Sequence, residues 1–196
     1  MAGKKRNRGQ KKASLRDLSR NAPEDIKKTI SELVSQGDRT CAVVCGSLLD
    51  YALYRCLLRS FTPMAIDDVN ALFHNPTAPL GSMASRIIIA FSMGLIDAND
   101  KEQLNIIKNI RNAFAHSLTT IDFSSEPVDV ECSKLTGLAF AAAPWMGADA
   151  SQNGRKFISS VIHFMFRLVG VSDADMKEWT STFPTRRKPQ ASRKKS

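Results

Sequence analysis

A chain of 196 residues with 43% hydrophobic content has enough apolar material for one good core, so a single folded domain is the default. The formal net charge of +9 is not spread over that domain: residues 1–20 carry +7 and residues 185–196 carry +6, leaving about −4 between them. A uniformly basic fold is thereby excluded, because the folded part is mildly acidic and the basicity sits in two tails. No apolar run is read as reaching the ~18 residues of a membrane span, and the amino terminus lacks a signal-peptide core, so a cytoplasmic location without a membrane partner is expected.

The domain organisation follows from that charge division: a basic disordered tail over 1–20, a single helical domain over 21–182 and a second basic disordered tail over 183–196. Runs such as GKKRNRGQKK and TRRKPQASRKKS have no apolar residues to bury. Lys4, Lys5, Arg6, Arg8, Lys11, Lys12, Arg186, Arg187, Lys188, Arg193, Lys194 and Lys195 are candidate contacts to a nucleic-acid backbone, where neutralised phosphates release counterions. Solubilising ends are the competing reading.

Between the tails, helix-friendly runs are punctuated by Gly and Pro, and no series of alternating strands is found, so the class is all-α. A first helix is expected after Asn21, with Pro23 in its opening turn, Glu24 and Asp25 at its positive end and Gly37 as its stop. Asp38 is then placed to cap a longer helix reaching Ser60. That helix is apolar nearly all round and should be central, burying Cys41, Val44, Leu48, Tyr51 or Ala52, and Leu57. Arg55 and Arg59 near its end either complement the helix dipole or contact phosphate.

Pro63, Pro76 and Pro79 bracket a linker with a short helix over about Asp67 to Phe73. Ser82 should cap a helix from Met83 to Met93 whose Ile87, Ile88 and Ile89 face the core, and Gly94 should end it. Asp97 or Asn99 caps the next helix, and so short a connection should fold the two back antiparallel. From Leu118 to Asn153 the pattern decays into an irregular connection with one short helix or strand pair. Helicity returns from Gly154 to Val169, with Phe157, Val161, Phe164 and Leu168 inward, and Gly170 ends it. A last short helix from Ser172 would carry Met176 and Trp179.

The stretch LNIIKNIRNAFAHS, Leu104 to Ser117, combines a clear apolar face with reactive side chains. Leu104, Ile107, Ile110 and Phe114 form one stripe. Arg111, Asn112 and His116 follow, with Asn112 and His116 one turn apart on a shared face. A permanent cation, an amide and an imidazole are suited to gripping a phosphate and moving a proton. The same Arg and His also complement the negative end of a helix, and spacing leaves both readings open. Cys41, Cys45 and Cys56 fall in one helix-like run and Cys132 stands apart; without paired CxxC clusters no metal site is expected, and buried reduced thiols are. His74 and His163 are scattered from His116, and His163 reads as a packed helix residue.

The segment APLGSMASRIIIAFSMGLIDANDKEQLNIIKNIRNAFAHS resembles the mannitol operon repressor family, through Pro79-Leu80-Gly81, Arg86, Gly94-Leu95-Ile96, Arg111 and His116, with an alignable region of about residues 30–165. That resemblance implies a regulator of gene expression. No basic recognition helix of helix-turn-helix type is visible in the acidic core, so control through a protein partner, or through the tails on a DNA backbone, is expected. The set Arg111, Asn112 and His116 also resembles the HEPN superfamily motif, which implies an antiparallel helical bundle forming a homodimer. Active members of that superfamily are metal-independent endoribonucleases needing no cofactor. Under that resemblance His116 would move the proton, Arg111 would brace the phosphorane and Asn112 would orient the ribose or imidazole.

Overall fold

A computed structural model describes residues 32, 33, 36–136 and 151–170. The described residues form six helices and no strand: α1 (Asp38–Ser60), α2 (Ile66–Phe73), α3 (Met83–Ser92), α4 (Ala98–His116), α5 (Glu126–Ser133) and α6 (Gln152–Val169). The all-α reading holds. Of the helix expected before Gly37, the described residues include Glu32 and Leu33, both helical with Leu33 buried, and Gln36, which lies in a turn. The two basic tails and the short helix expected from Ser172 lie outside the described residues.

α1 is central because it is apolar on almost every side, and it packs on α3, α4 and α6, most extensively on α6. Cys41, Ala42, Cys45, Leu49, Ala52, Leu53 and Leu57 are buried on it. The inward face is rotated from the one read in the sequence: Val44 and Leu48 are half-buried, and Tyr51 is exposed while Ala52 is not. By length and composition α1 could also cross a membrane, contrary to the expectation that no run qualifies. A helix enclosed by three neighbours needs apolar residues on most of its circumference for the same reason a membrane span does.

Asp38 does not cap α1. Gly37 occupies the cap position, with φ +93° in the region that favours glycine, and Asp38 enters the first turn. Its carboxylate instead accepts the backbone N–H of Phe123 at 2.9 Å, tying the start of α1 to the chain after α4. At the opposite end Arg59 donates to the carbonyls of Leu168 at 2.6 Å and Val169 at 3.0 Å. This guanidinium is committed to the negative end of α6. These ties set α1 and α6 running in the same direction.

α4 runs against both. Arg39 of α1 meets the carbonyls of Ser117 and Thr119 just past α4, whereas Asp100 in the first turn of α4 meets Arg167 in the last turn of α6 at 2.6 Å. Asp97 caps α4 in a full capping box with Asp100. Leu104, Ile107, Ile110 and Phe114 are buried as expected, and their ring neighbours extend the core: Phe114 lies 4.9 Å from Phe123, which lies 5.4 Å from Phe157 on α6. Each such aromatic or branched side chain contributes about 1.5–3 kcal/mol by burial.

α3 is capped by Ser82, whose Oγ accepts from the Ser85 N–H at 3.1 Å. Only Ile87 of the isoleucine triplet is fully buried; Ile88 is 54% exposed, since three consecutive helical positions span ~200° and cannot share one face. Arg86 is buried and fully engaged, donating to the Leu80 carbonyl at 2.8 Å and to the Asp50 carboxylate at 2.8 Å. It thereby pins the Pro79-Leu80-Gly81 turn and α3 to α1. The irregular connection contains α5, held by Gln103 of α4, which caps its end through the Lys134 carbonyl and the Thr136 N–H.

Candidate functional site

α4 ends at His116 because Ser117 turns extended, with φ −64° and ψ 129°, and its side chain folds onto Thr119 instead of continuing the helix. Arg39 from the first turn of α1 then holds this corner from outside. Its Nη2 donates to the Ser117 carbonyl at 3.1 Å and the Thr119 carbonyl at 2.7 Å. Sequence spacing could not have found Arg39, which lies 78 residues before Ser117 and reaches the corner only because α1 and α4 are antiparallel neighbours.

Arg111 is half-buried where α4 crosses α1. A Cβ placed on Gly46 would lie 2.4 Å from Arg111 Cγ and 2.9 Å from its Cβ, so the glycine makes the room in which the arginine stem lies. Arg111 Nη1 donates to Asn112 Oδ1 at 2.9 Å. That bond orients the carboxamide oxygen toward the guanidinium and leaves most of the guanidinium N–H groups for another acceptor. His116, one turn beyond Asn112, is exposed on the last turn.

The fold therefore joins two of the three sequence candidates directly, Arg111 and Asn112, and places His116 on the open end of the same helix face. Such a set can bind an anionic oxygen and exchange a proton with solvent. The twelve basic tail residues fall outside the described residues. Arg55 donates to the Tyr51 hydroxyl at 3.2 Å and Arg59 to α6, so neither belongs to this corner. The cysteines are all free and buried, with Cys41 and Cys45 sulfurs 4.0 Å apart. Hydrogen bonding with Cys41 and burial push the Cys45 thiol well up, and burial takes Cys132 to about 12, so both stay protonated near neutrality. His74 packs edge-on against Tyr54, and His163 against Phe164.

No protein-family model matches the chain, and no curated protein sequence matches it. Among solved structures, the chain is similar to one in the X-ray structure of the MtlR–HPr complex from Escherichia coli, with a TM-score of 0.56 and 16% sequence identity. The superposition covers 74% of this chain and 98% of that one. At that identity the likeness is one of fold: the helical bundle here is similar to the whole of its counterpart.

Proposed function

We propose that this chain is a mannitol-repressor-like regulator of gene expression, whose bundle serves as a dimerising, protein-binding module and does not itself read DNA sequence. The observation that carries this reading is the fold similarity across 98% of a chain whose structure was determined in complex with HPr. The surface helices speak against direct base reading. The two short ones have acidic first turns, Asp67 and Asp68 on α2 and Glu126 and Asp129 on α5. Such residues would be repelled by the phosphates flanking a DNA groove.

A second reading is favoured by one specific observation, the Arg111–Asn112 pair beside an open His116. In a metal-independent, HEPN-type endoribonuclease, His116 would take the 2′-hydroxyl proton as that oxygen attacks the adjacent phosphorus. Arg111 would meet the growing equatorial charge and Asn112 would hold the ribose; as the O2′–P bond forms the P–O5′ bond would break, the departing 5′-oxygen taking a proton from water and leaving a 2′,3′-cyclic phosphate. No cofactor enters that scheme.

One experiment separates the two. Tagged full-length chain is recovered from its host under native conditions, cross-linked and analysed for partners, and is incubated in parallel with labelled RNA in chelator beside His116→Ala. The regulator reading expects a stoichiometric protein partner and intact RNA. Cyclic-phosphate fragments made by the wild type and not by His116→Ala would overturn it in favour of the nuclease.

A further inference from the structure

Nine large hydrophobic side chains are exposed among the described residues, and four of them, Ile88 (54%), Phe91 (38%), Met93 (40%) and Leu95 (37%), fall within eight consecutive positions at the end of α3. Apolar side chains exposed singly are ordinary, whereas a contiguous group marks an interaction surface. Together the four expose roughly 350 Å². A standard interface of about 800 Å² per partner, a little over half of it apolar, needs roughly 450 Å² of such surface. This group supplies most of that share.

α3 is also the one described helix with no charged side chain at an exposed position: its only charged residue, Arg86, is buried against Asp50 and the Leu80 carbonyl. Depletion of charge characterises the centre of a protein interface and not a solvated face. Charge gathers at the rim instead, where Lys101 Nζ lies 4.5 Å over the Phe91 ring and Glu102 is exposed, so both signs are present.

Along α3, Ala84, Ile88 and Phe91 step by four and three, the spacing of a helix–helix seam. Gly94, at φ +69°, turns the chain so that the Leu95 N–H returns to the Ala90 carbonyl at 2.9 Å, and Leu95 closes the row at the helix end. The row is complementary to itself read backwards. About a two-fold axis midway between Ile88 and Phe91, each of these meets the other's counterpart, and the small Ala84 of each copy leaves room for Leu95 of the other. The helix ends agree with this direction. The first turn of α3 has no acid and its last turn no base, so neither end of its dipole is complemented within the chain. An antiparallel copy brings its α3–α4 turn to that positive end. There Asp97 caps α4 through Oδ1 and has Oδ2 3.6 Å from Arg167, yet keeps 62% of its side chain exposed.

We propose that the outward face of α3, from Ala84 to Leu95, is a two-fold interface that takes a second copy of this chain with the two α3 helices antiparallel. The inference rests on the dimerising part of the reading above and names the face that part requires. The two-fold reverses α4 between the copies, so the Arg111–Asn112–His116 corners fall at opposite ends of the dimer and each acts alone.

The test is sedimentation velocity on full-length, nuclease-treated chain over a concentration series, at about 0.3 M salt so that the basic ends are screened. Ile88→Ser with Phe91→Ser should weaken dimerisation about a hundredfold, each change counting twice across the axis. Leu118→Ser with Val130→Ser, an equal removal of exposed apolar side chains elsewhere, should leave it unchanged. Circular dichroism checks that the helices persist in each variant. For direction, Ala84→Cys chain mixed with Leu95→Cys chain should form the mixed disulfide on mild oxidation. Ala84→Cys alone should not cross-link, because the two copies of position 84 lie roughly 16 Å apart along an antiparallel pair. A wild-type dimer that the α3 double variant leaves intact would overturn the proposed face while sparing the dimerising reading; a wild-type chain monomeric at every concentration would overturn both. Cross-linking of Ala84→Cys to itself would overturn the antiparallel seam. A double variant that stays dimeric but loses a captured protein partner would give the face to that partner and overturn the proposal.

Discussion

Replacing Gly46 by alanine should destabilise this protein, although the same change at an open helix position stabilises by about 1 kcal/mol. The new methyl would meet Arg111 Cγ at 2.4 Å and Cβ at 2.9 Å, against the ~3.5–4.0 Å at which carbons rest. Cβ is fixed to the backbone and Cγ can move only by rotation about χ1, so either α1 lifts off α4 or Arg111 changes rotamer and gives up its bond to Asn112. Overpacking of this kind costs about 1–3 kcal/mol. Offset by the propensity gain, the net loss is about 1 kcal/mol, or roughly 2–4 °C in Tm for a chain of this size. Urea denaturation of Gly46→Ala, Arg111→Ala and the double variant forms a cycle. Because Arg111→Ala removes Cγ, alanine at 46 should cost at least about 1 kcal/mol less in that background. Additive effects, or a Gly46→Ala protein more stable than wild type, would refute the claim that this glycine seats the arginine.

Arg86→Leu should cost about 2–4 kcal/mol in urea denaturation, since it strands the Asp50 carboxylate and removes the donor to the Leu80 carbonyl. Adding Asp50→Asn should recover part of that, and a loss below about 1 kcal/mol in the single variant would show the pair to be dispensable. The Asp100 backbone N–H, helped by Arg167, holds the Asp97 carboxyl below the usual carboxylate range. Its stabilising effect is therefore complete above the unfolded value of about 3.9 and disappears as pH falls through the lower folded value. Asp97→Asn should flatten the acid limb of a stability–pH curve below about pH 4; an unchanged limb would place acid sensitivity elsewhere. Native protein at pH 8 should react slowly with a thiol reagent, because all four cysteines are buried and the Cys45 and Cys132 thiols are pushed up. Full labelling within the mixing time would contradict that burial.

The elements themselves were legible because local rules act strongly where periodicity is clear. Ser82, Asp97 and Gly170 punctuate helices for reasons contained within three or four residues. The stripe Leu104, Ile107, Ile110 and Phe114 needs only its own spacing to identify a buried face. α5 was blurred because eight residues give too little period to count, and its anchor, Gln103, is on another helix.

What the chain determined by itself was the class, the order of the helices and the presence of Arg111, Asn112 and His116 at one helix end, since each of these follows from neighbours in sequence. Which way the helices run against each other was decided only by the fold. So were the loss of Asp38 as a cap to Phe123, the seating of Arg111 on Gly46 and the recruitment of Arg39 to the far corner. These partners are tens of residues apart, and contact between them requires the buried α1 to bring them within a few ångströms, an arrangement that no local preference encodes.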